Sequence, residues 1–564
     1  MSKSIIGAVL AILLCSLAAV QAQPVYRASQ SSDGDPGISY SQLPSISGDG
    51  RYVAFRSLAW NLVPGDTNDN WDIFVHDRVT RETVLVSKSS TGEQANGESS
   101  NPVMSADGRF VAFDSWATNL IANDWNFVRD IFLHDRDPDQ NGIFDEPGTT
   151  TVRITRSGGF TETNKDSWEP CLSADGRYVG FLSIANNIVL GDTEGQVDAF
   201  WVDTALDEVK RLSVAADGTG GNSRVNGIAI SDDGQVVAFS TPSNNLVPGD
   251  NNAFQDVFVS DVATGQLTLV SRDHLGNPGS RAEAHVAISG DGRYVGFETA
   301  TALQVDDTNG VGDVFVYDRV QDTSRRVSIF ADGSESVQES QLCTLSIDGR
   351  YVGLRSLEDF DPIGVGFQNN IFRHDRDVDG NGVFDEPGGI ETRVMSMTWD
   401  SQYGHPHCNN GVLSRDGRFA AFTSVGFNLL PDDDFTIDDT YLRDAIRLEL
   451  DGTPAAGNPV HFEVSGATGE AGNLALVLLS CTGIDAFALP NGGETLYLTP
   501  DSCTSLALSA GFLFQGVVDA GGLANTPTVA FPSITPGLTI HAAAITINAP
   551  DFESLTSPIT FQSQ

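Results

Sequence analysis

The sequence predicts an all-β chain: a seven-bladed β-propeller closed by an N-terminal strand, followed by a C-terminal β-sandwich. Three observations carry this. One phrase recurs seven times, each unit around it reads as four short strands, and the outer strand missing from the last unit is found at the other end of the chain.

The phrase is SGDGRYVAF at Ser47, SADGRFVAF at Ser105, SADGRYVGF at Ser173, SDDGQVVAF at Ser231, SGDGRYVGF at Ser289, SIDGRYVGL at Ser346 and SRDGRFAAF at Ser414. Successive starts lie 58, 68, 58, 58, 57 and 68 residues apart. A fixed period of this length marks a repeat architecture. In the first unit, strand a is expected at Leu43–Ser47, strand b at Arg51–Ser57, strand c at Asp72–Asp77 and strand d at Thr83–Ser87. Apolar residues alternate along these runs and Asp-Gly turns separate them, as hairpins require. Four strands per unit without helical periodicity describe a propeller blade.

The seventh unit has strands a and b and, as strand c, Asp444–Leu450, but no strand d follows. Val25–Ser29 matches Thr83–Ser87 at an offset of 58 residues. The N-terminal strand is therefore expected to complete blade 7, which removes an exposed sheet edge and locks the ring. The propeller is expected over 23–450 and the second domain over 451–564. There charge falls away, and runs such as His461–Val464 and Leu474–Leu479 alternate with Gly and Pro turns, the pattern of a β-sandwich.

The S-x-DGR-Y/F-V-A/G-F and D-I/V-F-V-x-D-R phrases resemble the TolB-type, WD-like propeller repeats of secreted bacterial proteins. The resemblance covers about residues 25–450 and implies the fold, not an activity. TolB carries an N-terminal α/β domain that has no counterpart here, so a role in the Tol–Pal envelope system is not implied.

The first 22 residues read as a secretory signal: Lys3, a short apolar run, and cleavage after Ala22. The mature chain is thus expected in the periplasm or outside the cell. No later apolar run approaches the roughly 20 residues of a membrane span. With 32 Lys+Arg against 75 Asp+Glu and a formal net charge of −43, the surface repels phosphate backbones, which excludes nucleic acid as a partner. Five cysteines follow the signal: Cys171, Cys343, Cys408, Cys481 and Cys503. Cys481 and Cys503 share the small domain and are the expected disulfide.

The two 68-residue intervals carry their extra length in the c–d connections of blades 2 and 6, as DPDQNGIFDEPG from Asp137 and DVDGNGVFDEPG from Asp377. Alternate oxygen-bearing side chains with a turn glycine resemble the calcium loop of EF-hands. The expected ligands are Asp137, Asp139, Asn141 and Asp145 or Glu146, and Asp377, Asp379, Asn381 and Asp385 or Glu386. The acid falls earlier than in an EF-hand, and a proline follows. A metal-free Asx-rich hairpin is the alternative.

A second acidic pattern precedes strand c: Asp66/Asn68/Asp72, Asp124/Asn126/Asp130, Asp192/Glu194/Asp198, Asp250/Asn252/Asp256, Asp307/Asn309/Asp313 and Asp438/Thr440/Asp444. Turn formation and metal binding both fit it. The repeated DGR and HDR arginines, and His76, His134 and His374, are expected to pair locally. His405 and His407 beside Cys408 give a weak metal signal. No nucleophile elbow or other catalytic motif occurs. The sequence therefore reads as a monomeric, non-enzymatic binding or scaffolding propeller for an unidentified protein or glycan, stabilised by calcium. A secreted polysaccharide lyase or hydrolase is the alternative, with its site in blade 6 or in Trp399–Asn410.

Overall fold

A computed structural model describes residues 25–445 except 157–161, 194, 280–281, 361–368, 398–407, 426–428, 431–432 and 434–436; beyond 445 it describes strands alone. The chain divides into two units, Met1–Ala445 and Ile446–Gln564.

Unit 1 holds seven four-stranded antiparallel sheets. Blade 1 runs Ser41–Ile46, Tyr52–Ser57, Asp72–Asp77 and Thr83–Leu85 as strands a to d. In blade 7, Val25–Arg27 pairs with Asp439–Asp444, opposing Val25 to Arg443 and Arg27 to Tyr441. The N-terminal closure is therefore present. Strand c of that blade is Asp439–Asp444, five residues before the expected Asp444–Leu450. Both segments begin with Asp and alternate, so hydrophobic pattern alone does not separate them. The closing Asp decides: Arg418 pairs with Asp444 at 2.8 Å, as Arg51 pairs with Asp77 at 2.7 Å. Arg447–Asp451 instead pairs with Val460–Ser465 in unit 2.

The repeated phrase has a local cause at each letter. Ser47 Oγ donates to Asp49 at 2.7 Å and accepts from the Tyr52 amide at 2.9 Å, while Asp49 accepts from the Arg51 amide at 2.9 Å. These bonds fix the a–b turn, and Gly50 takes φ +70° there. The glycine also faces the aromatic of the preceding blade: a β-carbon on Gly50 would lie 2.1 Å from the Phe419 ring, and on Gly108 2.4 Å from the Tyr52 ring. Within blades, aromatics of strands b and c stack, as Phe55–Phe74 at 6.0 Å and Phe422–Tyr441 at 5.9 Å. These rings are among the largest fully buried side chains, packed with Val, Leu, Ile and Ala of neighbouring blades.

The a–b turns also join around the ring. Gly48 donates to the Ala106 carbonyl, Ala106 to Ala174, Ala174 to Asp232 and Asp232 to Gly290, at 2.8–3.0 Å. Arg415 of blade 7 forms an ion pair across the ring with Asp232 of blade 4, so side chains span the channel at this face.

In unit 2, Arg447–Asp451, Val460–Ser465 and Thr495–Leu498 form one antiparallel sheet. Ala475–Thr482 pairs with Ser502–Ser509, placing Cys481 opposite Cys503, and Thr539–Ala542 pairs with Ile559–Gln562. How these strands pack into a sandwich, and the signal segment, lie outside the described residues.

Candidate functional site

Most repeated polar groups serve the scaffold. The DGR arginine binds the closing Asp of strand c in six blades, for example Arg109–Asp135 at 2.6 Å and Arg177–Asp203 at 2.7 Å. The second arginine reaches back to the turn glycine carbonyl: Arg78 to Gly50 at 3.1 Å and Arg376 to Gly349 at 2.8 Å. His76, His134 and His374 bond Thr83, Thr151 and Thr392 through Nδ1 at 2.7–2.8 Å. Burial lowers these imidazoles to about 4, 3 and 4. They are neutral core groups, as their repetition predicts. His405, His407 and most of Trp399–Asn410 lie outside the described residues.

The two inserts adopt one conformation. Asp137 accepts from the amides of Asn141 and Gly142 at 3.0 Å, and Asn141 Nδ2 bonds Asp139 at 3.1 Å and Glu146 at 2.8 Å. Asp377, Asp379, Asn381 and Glu386 repeat these contacts, at 3.0 Å from Asn381 Nδ2 to Asp379 and 2.7 Å to Glu386. Asp145 and Asp385 turn away, each held at 2.5 Å by Arg136 or Arg376. Of the alternative acids, the glutamates therefore join the loop cluster. The gathered donors are all oxygens except the exchangeable Asn amide, which fits a hard cation. Among the described residues, no group of three or more His, Cys, Asp or Glu side chains could hold a metal ion by itself. A loop cation would thus also need the Asn oxygen, a backbone carbonyl or water.

The acidic pattern before strand c mostly makes turns and internal ion pairs. Asn68 bonds Asp72, Asn126 bonds Asp130 and Asn309 bonds Asp313 at 2.8–3.0 Å. In blade 7 the matching pair is Asp433 and Asp439, because strand c begins at Asp439.

Sequence reasoning missed a different cluster, at the mouth carrying the b–c loops. The next-to-last residue of strand b varies between blades and faces strand a of the following blade. Arg56 of blade 1 bonds Ser100 and Gln42 at 2.8 Å and lies 4.3 Å from the Trp71 ring centroid. Asp114 of blade 2 accepts from Asn101 at 2.7 Å and from the Glu169 amide at 3.3 Å, and lies 3.6 Å from Arg129. Arg129 in turn sits 5.3 Å from the Trp116 ring centroid. Asn101 and Glu169 occupy strand-a bulges with φ +49° and +51°, sparsely populated for such residues. Burial raises Asp114 to about 6; burial and the Asp114 charge raise Glu169 to about 7. Trp60, Trp116, Trp125 and Phe127, on the b–c loops of blades 1 and 2, are 58%, 39%, 69% and 71% exposed.

No family model matches the chain, and no curated protein is significantly similar to it in sequence. It is similar to solved structures with which it shares little sequence identity. TolB from Acinetobacter baumannii shares 14% identity over 57% of this chain and 59% of its own, with a TM-score of 0.32. The chain thus spans about three fifths of that structure. An oligogalacturonate lyase in complex with manganese shares 12% over 74% of this chain and 95% of its own, TM-score 0.40. Hydrazine synthase from Kuenenia stuttgartiensis shares 14% over 72% and 97%, TM-score 0.36. The fold assignment rests on the strand order of the seven sheets. Among the described residues no helix is long and apolar enough to cross a membrane.

Proposed function

We propose that this chain is a secreted or periplasmic, non-enzymatic binding or scaffolding propeller. Its ligand surface is the b–c mouth of blades 1 to 3, and calcium stiffens its blade 2 and 6 loops. The observation that carries this reading is the pair of arginines backing two indoles, Arg56 with Trp71 and Arg129 with Trp116. Flat apolar faces beside fixed hydrogen-bonding groups suit a sugar ring, which offers C–H faces and hydroxyls together. The repeated histidines and arginines are engaged internally, which leaves this divergent cluster as the place where a ligand finds unshared chemistry. A glycan array probed with and without calcium tests the reading. Binding without substrate cleavage, lost on Trp116→Ala, is the expected result; no bound glycan under either condition overturns the glycan ligand.

Asp114 and Glu169 favour a second reading, a polysaccharide lyase or hydrolase. Two neighbouring carboxyls raised to about 6 and 7 have the proton affinities that acid–base catalysis uses. Product release from a bound glycan, abolished by Glu169→Gln with binding retained, would select it.

A further inference from the structure

Before strand c of six blades, a loop aspartate and the first aspartate of the strand approach one another, and five of these pairs are given a polar partner. In blade 2, Arg153 reaches Asp124 at 3.1 Å, Asp130 at 3.5 Å and Glu162 at 3.2 Å. In blade 3, Arg211 reaches Asp192 at 3.5 Å and Asp198 at 3.0 Å. In blade 5, Arg326 reaches Asp307 at 3.4 Å and Asp313 at 3.6 Å. In blade 7, Arg27 pairs with Asp433 and Asp439. All four arginines stand at one register position of strand d, opposite the aromatic of strand c: Phe132, Phe200, Phe315 and Tyr441.

The three remaining blades lack the arginine. Blade 6 has Val394 opposite Phe372, and its strand c begins with the neutral Asn370, so the charge and its partner are lost together. Blade 1 has Leu85, and Gln94 takes over, donating to Asp66 at 2.7 Å and Asp72 at 2.9 Å. Blade 4 has Leu269 opposite Phe258, and Pro278 stands where Gln94 stands in blade 1. Both aspartates are nonetheless kept. Asp250 is 8% exposed and Asp256 fully buried, and among the described residues Asp250 Oδ1 and Asp256 Oδ2 have no partner at hydrogen-bond geometry. Ser271 serves the other oxygen of Asp256 at 2.6 Å, while the Asn252 side chain donates to the Gly279 carbonyl at 2.8 Å and lends Asp256 only a weaker, neutral interaction.

We infer that Asp250 and Asp256 of blade 4 bind a hard divalent cation in the position that a guanidinium fills in blades 2, 3, 5 and 7. Two buried carboxylates side by side need a counter-charge, donors to their facing oxygens such as Gln94 gives in blade 1, or a shared proton, and blade 4 supplies neither of the first two from its strand d or its Gln94 position. The unpartnered donors are oxygens, which select calcium, magnesium or manganese over softer metals. With two protein carboxylates, the ion keeps several waters, reached through the loop side of the blade. This site is separate from the blade 2 and 6 inserts and does not depend on them.

The test counts bound ions. In full-length protein carrying Asp139→Ala and Asp379→Ala, which disables the insert loops, manganese binding is followed by electron paramagnetic resonance and calcium binding by calorimetry. One ion per chain is expected, lost on Asp256→Asn and on Leu269→Arg, the latter supplying the guanidinium of the flanking blades. Leu269→Arg should also raise the thermal midpoint measured in chelator, which shows that the variant folds and that the charge pair was uncompensated. An unchanged ion count in both variants overturns the inference. So does an absence of bound ion in the loop-disabled parent, with only proton uptake near pH 6, since a shared proton then does the work of the cation.

Discussion

The ring of Tyr52 in blade 1 covers Gly108 in blade 2 so closely that a β-carbon on the glycine would lie 2.4 Å from the ring. Gly108 also holds φ +78°. Gly108→Ala therefore meets two costs, the left-handed backbone and an overpacked blade interface, together about 2–4 kcal/mol. Gly292 is its counterpart in blade 5, at φ +70°, but faces Val236 at 3.0 Å instead of an aromatic ring. Gly292→Ala should cost clearly less. Denaturant unfolding of the two variants checks the order; equal losses would remove the ring contact from the explanation.

That contact shows what was legible in the sequence. The DG-R-Y/F spacing announced a blade because each of its letters has a local partner within a few residues, and local partners repeat with the period. The closing strand Val25–Arg27 was legible for the same reason, as a displaced copy of strand d. The start of strand c in blade 7 was not, because the mark that fixes it is the Arg418–Asp444 pair, 26 residues apart. The mouth cluster escaped because Arg56, Asp114 and Leu182 share one repeat position, the next to last of strand b, with nothing in common chemically. A divergent position reads as noise until the ring sets it against strand a of the next blade. The blade 4 pair needed three positions on three segments, Asp250, Asp256 and Leu269, compared across all blades at once.

Buried neutral histidines should make the ring acid-sensitive. The folded pKa of His374 is lowered by burial to about 4, so below the ordinary value near 6.5 the unfolded chain takes up the proton first. Its contribution to stability is whole above pH 6.5 and is lost as the pH falls toward 4, at about 1.4 kcal/mol per pH unit. Asp72 and Asp198, raised by burial to about 6, act in the opposite direction over the same range. The clean measurement is therefore a difference. The stability gap between parent and His374→Gln should shrink by on the order of 2 kcal/mol between pH 7 and pH 5. A gap independent of pH would mean that the imidazole takes up its proton as readily in the fold as in the unfolded chain.

Cys481 and Cys503 stand directly opposite in the antiparallel pair Ala475–Thr482 with Ser502–Ser509. Directly opposed residues have Cα atoms about 4.5–5.5 Å apart, within the span a disulfide bridges. Peptide mapping of the oxidised, exported protein should recover the two cysteines linked, and Cys171, Cys343 and Cys408 as thiols. Free thiols at both 481 and 503 in that sample would refute the pairing.

Calcium at the inserts rests on two loops that share a sequence and a hydrogen-bond pattern. In both, one asparagine amide ties two carboxylates together, Asn141 between Asp139 and Glu146, and Asn381 between Asp379 and Glu386. Turning that amide presents its oxygen to the same point, and the carboxylates, no longer bridged by a donor, then repel unless a cation joins them. A cation that binds the folded loop and not the unfolded chain stabilises the fold by mass action, about 2.7 kcal/mol at a hundredfold excess over its dissociation constant. Millimolar calcium should therefore raise the thermal midpoint, and magnesium should do so less, because it gives up water reluctantly. Replacing Asp139 and Asp379 together by Ala should remove most of the calcium shift. Replacing Asp145 and Asp385 should remove little of it, since those carboxylates are held by Arg136 and Arg376 outside the cluster, and should instead lower stability in chelator. If Asp145 and Asp385 prove the more damaging pair for calcium, the arginines release them on binding and the glutamates are not the ligands. If neither pair alters the response, the loops are hairpin turns alone.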